Sequence, residues 1–434
     1  MIYYSDPLYT IIPDKGKYIL YCGNLRKAIR LSYSKMYLYK TIVENQNKMS
    51  LDTMFECYQI DPKDYEDFTE QMVQKKIFFI RKEDFQKEDF CHRYNKLSCD
   101  QELRVAYLHV TQRCNLNCYY CYNKKNINSR REELSTEEWK SAIDKLYGKG
   151  VRTFVFTGGE PTLRTDLEEI LMSVPADCKV NVLTNGTLLK NEVKRIFRYA
   201  NEIIVSLDSA IAENNDRNRE NSAHYNVFSN IDGLDKEQKR KLTVRTVITK
   251  YNVNDIESLR ERMREMGVRY VTSGYLPNSS KEWDEFIPPQ NEFSNGSSKQ
   301  KIVECGAGKS EIAIDSNGDI YPCQSLIKPG FILGNIKNEN WWRQMREKAE
   351  TFIPQRDINS IEKCRDCVYK YFCGNGCKAI TFNLYQQLER CNDFFCEFYK
   401  QKAIADIKNL FQKENCDVSG SEGSGTDRHD TDQH

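Results

Sequence analysis

Nothing in this 434-residue sequence favours one sign of charge: 64 Lys and Arg stand against 63 Asp and Glu, a formal net charge of +1. Long runs of like charge are missing too. No electrostatic grip on nucleic acid or on a membrane surface is therefore expected. The chain also lacks the run of about eighteen apolar residues that a membrane span requires. Its first residues, Met1-Ile2-Tyr3-Tyr4-Ser5-Asp6, contain no basic segment leading into an apolar one. These absences predict a soluble cytoplasmic protein. Cysteine, by contrast, is abundant, with 17 residues. Without an export signal, cysteines read as metal ligands and reduced thiols, not as disulfides. The length predicts two or three domains.

The densest chemistry lies in Thr111–Tyr122, where Cys114, Cys118 and Cys121 are separated by three and two residues. Three thiolates so close together can hold three corners of a small iron–sulfur cube and leave one iron open to a chelating molecule. A zinc loop is the competing reading. Structural zinc sites take four ligands in paired hooks, and after Cys121 the next cysteine is Cys178.

Around this loop, strand and helix patterns alternate. Arg104–Val110 is the strand that delivers the cysteines. Further strands are expected at Thr153–Phe156, Lys179–Leu183, Glu202–Leu207, Leu242–Ile248 and Arg269–Thr272. Ser135 and Glu138 form a capping box ahead of an apolar helical face, Trp139, Ile143, Leu146 and Tyr147, that ends near Gly148. Another helix is expected at Asp255–Met266. Such β/α units build a parallel sheet that curls into a partial barrel with its site at the strand C-terminal ends. Thr157-Gly158-Gly159-Glu160-Pro161 falls at one such end, where glycine lets backbone approach a ligand closely.

The cysteine spacing, with the Gly-Gly-Glu-Pro segment after the second strand, resembles the signature of the radical S-adenosylmethionine (SAM) enzymes. The resemblance implies that Cys114, Cys118 and Cys121 hold a [4Fe–4S] cluster at which SAM is cleaved. It further implies that Gly158, Gly159 and Glu160 receive the SAM amino group. Thr184, Asn185, Ser206 and Asp208 would hold its ribose and methionine ends, Arg245 its carboxylate, and Tyr120 would lie by the adenine.

Downstream, Cys305 is followed by Gly318 and, after four more residues, Cys323; then come Cys364-x2-Cys367-x5-Cys373-x3-Cys377 and Cys396. This order resembles the SPASM extension of radical SAM enzymes. The resemblance implies two auxiliary [4Fe–4S] clusters, three in all. Cys364, Cys367, Cys373 and Cys396 would hold the distal one, and Cys305, Cys323 and Cys377 the nearer. Cys391 is a spare candidate for the nearer site. A pair of zinc sites is the alternative. In one respect the chain departs from sulfatase-maturating members. No cysteine lies between Cys178 and Cys305, and Gln324 stands where they carry Asp after the Gly-x4-Cys unit.

Residues 1–82 read as a separate domain. Leu8–Ile12 and Tyr18–Cys22 form a hairpin around Pro13-Asp14-Lys15-Gly16. Ser34 is expected to cap a helix to about Glu44, Ser50 one to about Tyr58, and Asp61-Pro62 one to about Lys75, before the apolar strand Ile77–Ile80. This order makes a winged helix-turn-helix. Over residues 1–90, 14 Lys and Arg balance 14 Asp and Glu, which argues against DNA. The order resembles the recognition domains that precede peptide-modifying enzymes and hold a leader peptide as an added strand.

The expected architecture is thus α/β. A winged-helix peptide-recognition domain (1–82) and a charged linker (83–103) precede a partial (β/α)6 TIM barrel (104–290). A cysteine-rich SPASM domain (291–410) and a disordered tail (411–434) follow. The resemblance implies a radical SAM maturase that cross-links a ribosomally synthesised precursor peptide through its leader, thioether favoured, with electrons from a flavodoxin or ferredoxin. Carbon–carbon coupling, another protein or a small metabolite as substrate, and a non-enzymatic iron–sulfur or zinc protein are the alternatives.

Overall fold

The computed structural model describes residues 2–89, 102–219, 223–288, 305–355 and 358–411. Most of the expected linker and nearly all of the expected tail lie outside the described residues.

The N-terminal region starts with β1 (Tyr4–Ser5) and an antiparallel meander of β2 (Tyr9–Asp14), β3 (Lys17–Cys22) and β4 (Lys27–Leu31). Lys15 and Gly16 both have positive φ, 47° and 77°. Two such residues make the tight turn whose twist matches antiparallel strands, so Pro13 and Asp14 belong to the strand and not to the loop. β4 was not expected from the sequence, because its run Lys-Ala-Ile-Arg-Leu carries two cations. Helices Tyr33–Asn45, Leu51–Tyr58 and Pro62–Gln74 follow. Ser50 and Asp61 cap the second and third, while the first is capped by Ser32 and not by Ser34. β5 (Phe78–Phe79) pairs with β1 and stays apart from the meander. The domain also runs past residue 82: a helix at Lys82–Glu88 sets Phe85 against Phe79, ring centroids 5.6 Å apart.

Six strands, β6 (Val105–Thr111), β7 (Thr153–Gly158), β8 (Lys179–Thr184), β9 (Glu202–Ser206), β10 (Leu242–Ile248) and β11 (Arg269–Gly274), lie parallel in sequence order. The capping box at Ser135 and Glu138 is present, and its helix places Trp139, Ile143 and Leu146 in the main core against Leu108, Phe154 and Phe156. Alternation along each strand sends the other side chains into the barrel. β6 and β10 are separated by three strands, yet Gly158 of β7, Thr184 of β8, Ser206 of β9, Val247 of β10 and Ser273 of β11 line one cavity with the loop that follows β6. That proximity requires a curled sheet, the partial (β/α)6 barrel.

The cysteine-rich region extends this sheet. β12 (Glu311–Ile314) runs parallel beside β6, and β13 (Asp319–Tyr321) and β14 (Gly334–Asn335) continue it antiparallel. Cys305 precedes β12 and Cys323 follows β13, so both are set beside the barrel by strand pairing. Helices Lys378–Tyr385 and Asp393–Leu410 complete the region. Among the described residues no helix is long and apolar enough to cross a membrane.

Candidate active site

A cavity of about 290 Å³ opens at the C-terminal ends of the barrel strands. Cys114, Cys118 and Cys121 line it together with Tyr120, Gly158, Gly159, Thr184, Asn185, Ser206 and Arg245. Ten of the twelve residues expected to hold the SAM cluster or SAM therefore meet in one place; Glu160 and Asp208 stand behind the wall.

The two glycines face a demand different from the expected one. Gly158 has φ 126°, and a Cβ there would lie 2.3 Å from the Thr111 carbonyl oxygen; one on Gly159 would lie 2.1 Å from that of Arg113. The backbone approached is that of the cysteine loop itself. Gly159 N–H donates to Thr111 O at 2.7 Å and Glu160 N–H to Arg113 O at 2.8 Å, which locks the β7 turn to the entry of the loop. The Glu160 carboxylate turns inward. It accepts from Thr162 Oγ1 at 2.6 Å, Thr184 Oγ1 at 2.7 Å and the Asn185 N–H at 2.7 Å. Burial raises its pKa, although these donors oppose the rise. With its oxygens engaged in this way, Glu160 braces the β8 terminus.

Asp208 is likewise engaged from within the fold. It is buried, takes the Arg219 guanidinium at 2.8 Å, and accepts the Tyr120 hydroxyl. Its backbone N–H donates to Asn215 Oδ1 at 3.0 Å. Tyr120 presents its ring to the cavity while its hydroxyl is anchored below.

Residues of the helix Ala212–Arg219 hold the cysteine loop from the other side. Tyr119 N–H donates to Asn218 O at 3.1 Å and Cys118 Sγ to Arg219 O at 3.8 Å. Asn128 Oδ1 accepts from Cys114 N–H, and Asn278 donates to the Cys121 carbonyl, both at 3.0 Å. None of these partners was identified from sequence. The one local signal is composition. Ala212–Arg219 has no apolar stripe, yet Asn215, Asn218 and Arg219 are buried, which marks a helix whose polar groups are in use.

The Arg245 side chain makes no hydrogen bond or ion pair among the described residues. Burial lowers its pKa, opposed by Tyr122, Tyr107 and Glu202 and reinforced by Arg219. A half-buried guanidinium facing a cavity without a carboxylate partner fits an anionic ligand group.

The cysteine loop fits a metal for a similar reason. Burial pushes the Cys114 thiol up to about 11 and that of Cys121 up to about 12. Thiols so placed ionise only when a cation stabilises the thiolate. No three Cys, His, Asp or Glu side chains among the described residues converge as for a single metal ion.

The downstream cysteines form two groups. Cys305 and Cys377 help to raise the pKa of Cys323, and Cys305 that of Cys377, with Glu311 close to both. Cys377 is surrounded by atoms on all sides and its thiol is pushed up by that burial, yet its own surface is open. The cavity at Cys114 is also lined by Gln324 and Ser325, which follow Cys323. Cys364, Cys367, Cys373 and Cys396 line a second cavity of about 250 Å³, and Cys391 joins them. Cys391 hydrogen-bonds Cys364. It therefore belongs to the distal group and does not reach the nearer one, which corrects its expected place.

A parallel barrel with three loop cysteines at its mouth and further cysteine groups beside it defines a radical SAM enzyme with auxiliary iron–sulfur clusters. Residues 108–282 match the model of the radical SAM superfamily, and residues 305–368 match SPASM, an iron–sulfur cluster-binding domain. The chain carries a radical SAM domain followed by a SPASM domain.

It is similar to the mycofactocin maturase MftC of Mycolicibacterium smegmatis, with 25% identity over 63% of this chain and 77% of that protein. The subtilosin biosynthesis protein AlbA of Bacillus subtilis is 26% identical over 70% of this chain and 73% of its own. An AdoMet-dependent heme synthase of Methanosarcina barkeri is 28% identical over 64% and 92%. Among solved structures, Streptococcus suis SuiB bound to S-adenosylmethionine shares the fold with a TM-score of 0.57. It covers 92% of this chain and all of its own at 16% identity.

Proposed function

We propose that this chain reductively cleaves SAM and installs a cross-link, a thioether in preference to a carbon–carbon bond, in a ribosomally synthesised precursor peptide. When bound, the cofactors supply a 5′-deoxyadenosyl radical that removes one hydrogen from a substrate residue, and an acceptor for the electron released as the cross-link forms. Cys114, Cys118 and Cys121 hold the cluster that binds SAM. Arg245 meets the SAM carboxylate. Gly158, Gly159, Thr184, Asn185 and Ser206 orient the rest, with Tyr120 against the adenine. The barrel wall excludes water from the reacting centre.

The observation that carries the reading is the continuity of this cavity with the residues after Cys323. A substrate lodged there lies between the radical site and the nearer auxiliary cysteines. With Cys391 in the distal group, Cys305, Cys323 and Cys377 offer three thiolates where a cube has four corners, and a substrate cysteine fits the fourth. Two auxiliary clusters with the SAM cluster make three. Electrons come from a flavodoxin or ferredoxin.

The N-terminal domain is the leader reader in this proposal. β4 is an edge strand of the meander, while the opposite edge, β2, contains Pro13 and so lacks one donor. An extended peptide adds to an edge with a full set of N–H groups. MftC is named a maturase, and SuiB is also known bound to its precursor peptide SuiA. The heme synthase relative favours a small-molecule substrate instead; the recognition-type domain favours the peptide.

The test is anaerobic turnover of the reduced holoenzyme with SAM and a cysteine-bearing peptide encoded beside its gene. The expected product has lost one hydrogen pair and resists thiol alkylation, and a Cys-to-Ser peptide is unmodified. Formation of 5′-deoxyadenosine with every such peptide left intact would exclude the maturase reading.

A further inference from the structure

The distal cysteines bracket a surface on which the N-terminal sheet rests. β3 is buried on both faces. Leu20 and Cys22 point into the helices of their own domain. Ile19 and Tyr21 point the other way, against Val368, Tyr369, Phe372 and Ile407. The Tyr21 ring lies parallel to that of Tyr369, 6.2 Å away at 5°, and meets Phe372 at 5.4 Å and 65°. The backbones touch as well. A Cβ on Gly23 would lie 2.5 Å from the Val368 carbonyl oxygen, so no larger residue fits without a shift. The Tyr369 phenol hydrogen-bonds Thr10, and the Arg30 guanidinium sits 5.7 Å over the Phe411 ring.

Val368, Tyr369 and Phe372 all fall between Cys367 and Cys373. The helices that carry this segment, Glu362–Arg365 and Lys370–Cys373, have four residues each. Helices of one turn have no stability of their own. Cysteines at both ends of such a segment are where ligation does most for folding, because the free energy of metal binding is then folding free energy.

We propose that the distal cluster is a clasp: by ordering residues 367–373 it fixes the N-terminal domain to the catalytic body. Its loss releases that domain and leaves the barrel folded. The consequence for peptide modification rests on the recognition reading above, whereas the docking does not.

Amide hydrogen exchange of the reconstituted full-length chain, without peptide, tests the clasp. In Cys367→Ala, which lacks the distal irons, the Ile19, Leu20 and Tyr21 amides are expected to exchange at least tenfold faster, while β7 and β8 keep their protection. Tyr369→Ala is expected to give the same acceleration with all its iron present. Unchanged exchange in β3 after loss of the distal irons overturns the proposal. Should Cys367→Ala lose protection in the barrel too, Cys373→Ser is read by the same criterion. Leader affinity is measured separately. A fall that parallels the exchange supports both readings, and faster exchange with unchanged affinity keeps the clasp and removes the recognition role.

Discussion

The Tyr120 hydroxyl donates to Asp208, a carboxylate buried beneath the cysteine loop. Asp208 also pairs with Arg219 at 2.8 Å, so one carboxylate ties the residue before the third loop cysteine to a helix about a hundred residues further on. The loop shape is thus set by a charge that never faces the cavity.

Replacing Asp208 by Asn should cost about 3 kcal/mol, because removal of one partner leaves the buried Arg219 charge uncompensated. Tyr120→Phe removes one hydrogen bond to that carboxylate and should cost about 1 kcal/mol. Chemical denaturation of both variants checks the order. Equal losses would mean that Arg219 draws its compensation from elsewhere.

Iron content tests the cysteine grouping. Reconstituted protein should carry about twelve irons, and the triple Ala variant of Cys114, Cys118 and Cys121 about eight, as expected for three four-iron clusters. Cys391→Ala should keep the full content, since Cys396 completes the distal set; a drop by one cluster would make Cys391 a ligand.

The recognition role is checked by deletion through Asp89, so that the helix Lys82–Glu88 goes with the sheet it packs on. The truncated chain should still cleave SAM but bind leader at least tenfold more weakly. Unaltered modification of full-length peptide would refute the role.

Asp6 gives a pH-dependent signature. It is fully buried, accepts the Leu8 and Leu25 N–H groups at 2.9 Å each, and burial pushes its pKa up from 3.8 to about 6. The folded state then holds its proton more tightly than the unfolded one. Stability from this group is present at low pH and declines as pH rises between 3.8 and about 6. The melting temperature of the wild type relative to Asp6→Asn should fall across that window and level off above it. A flat difference would place the titration elsewhere.

Much of the site is legible in the chain because ligation is local: Cys114, Cys118 and Cys121 are close in sequence, and six strand patterns predict the parallel sheet whose ends gather Thr184, Ser206 and Arg245. The tertiary structure alone decided what these residues touch. Glu160 and Asp208 sit at positions that read as ligand contacts, yet their carboxylates turn toward Thr184 and Arg219, because a buried charge takes whatever donors packing brings to it. Cys391 joins the distal cysteines through the fold of the segments around it, which spacing does not encode. Even the glycines of the β7 turn are required by backbone contacts to Thr111 and Arg113, more than forty residues away. Sequence determines which groups can ionise, ligate or alternate; long-range packing determines which of them face the cavity, since a side chain's partners are set by elements far apart in the chain.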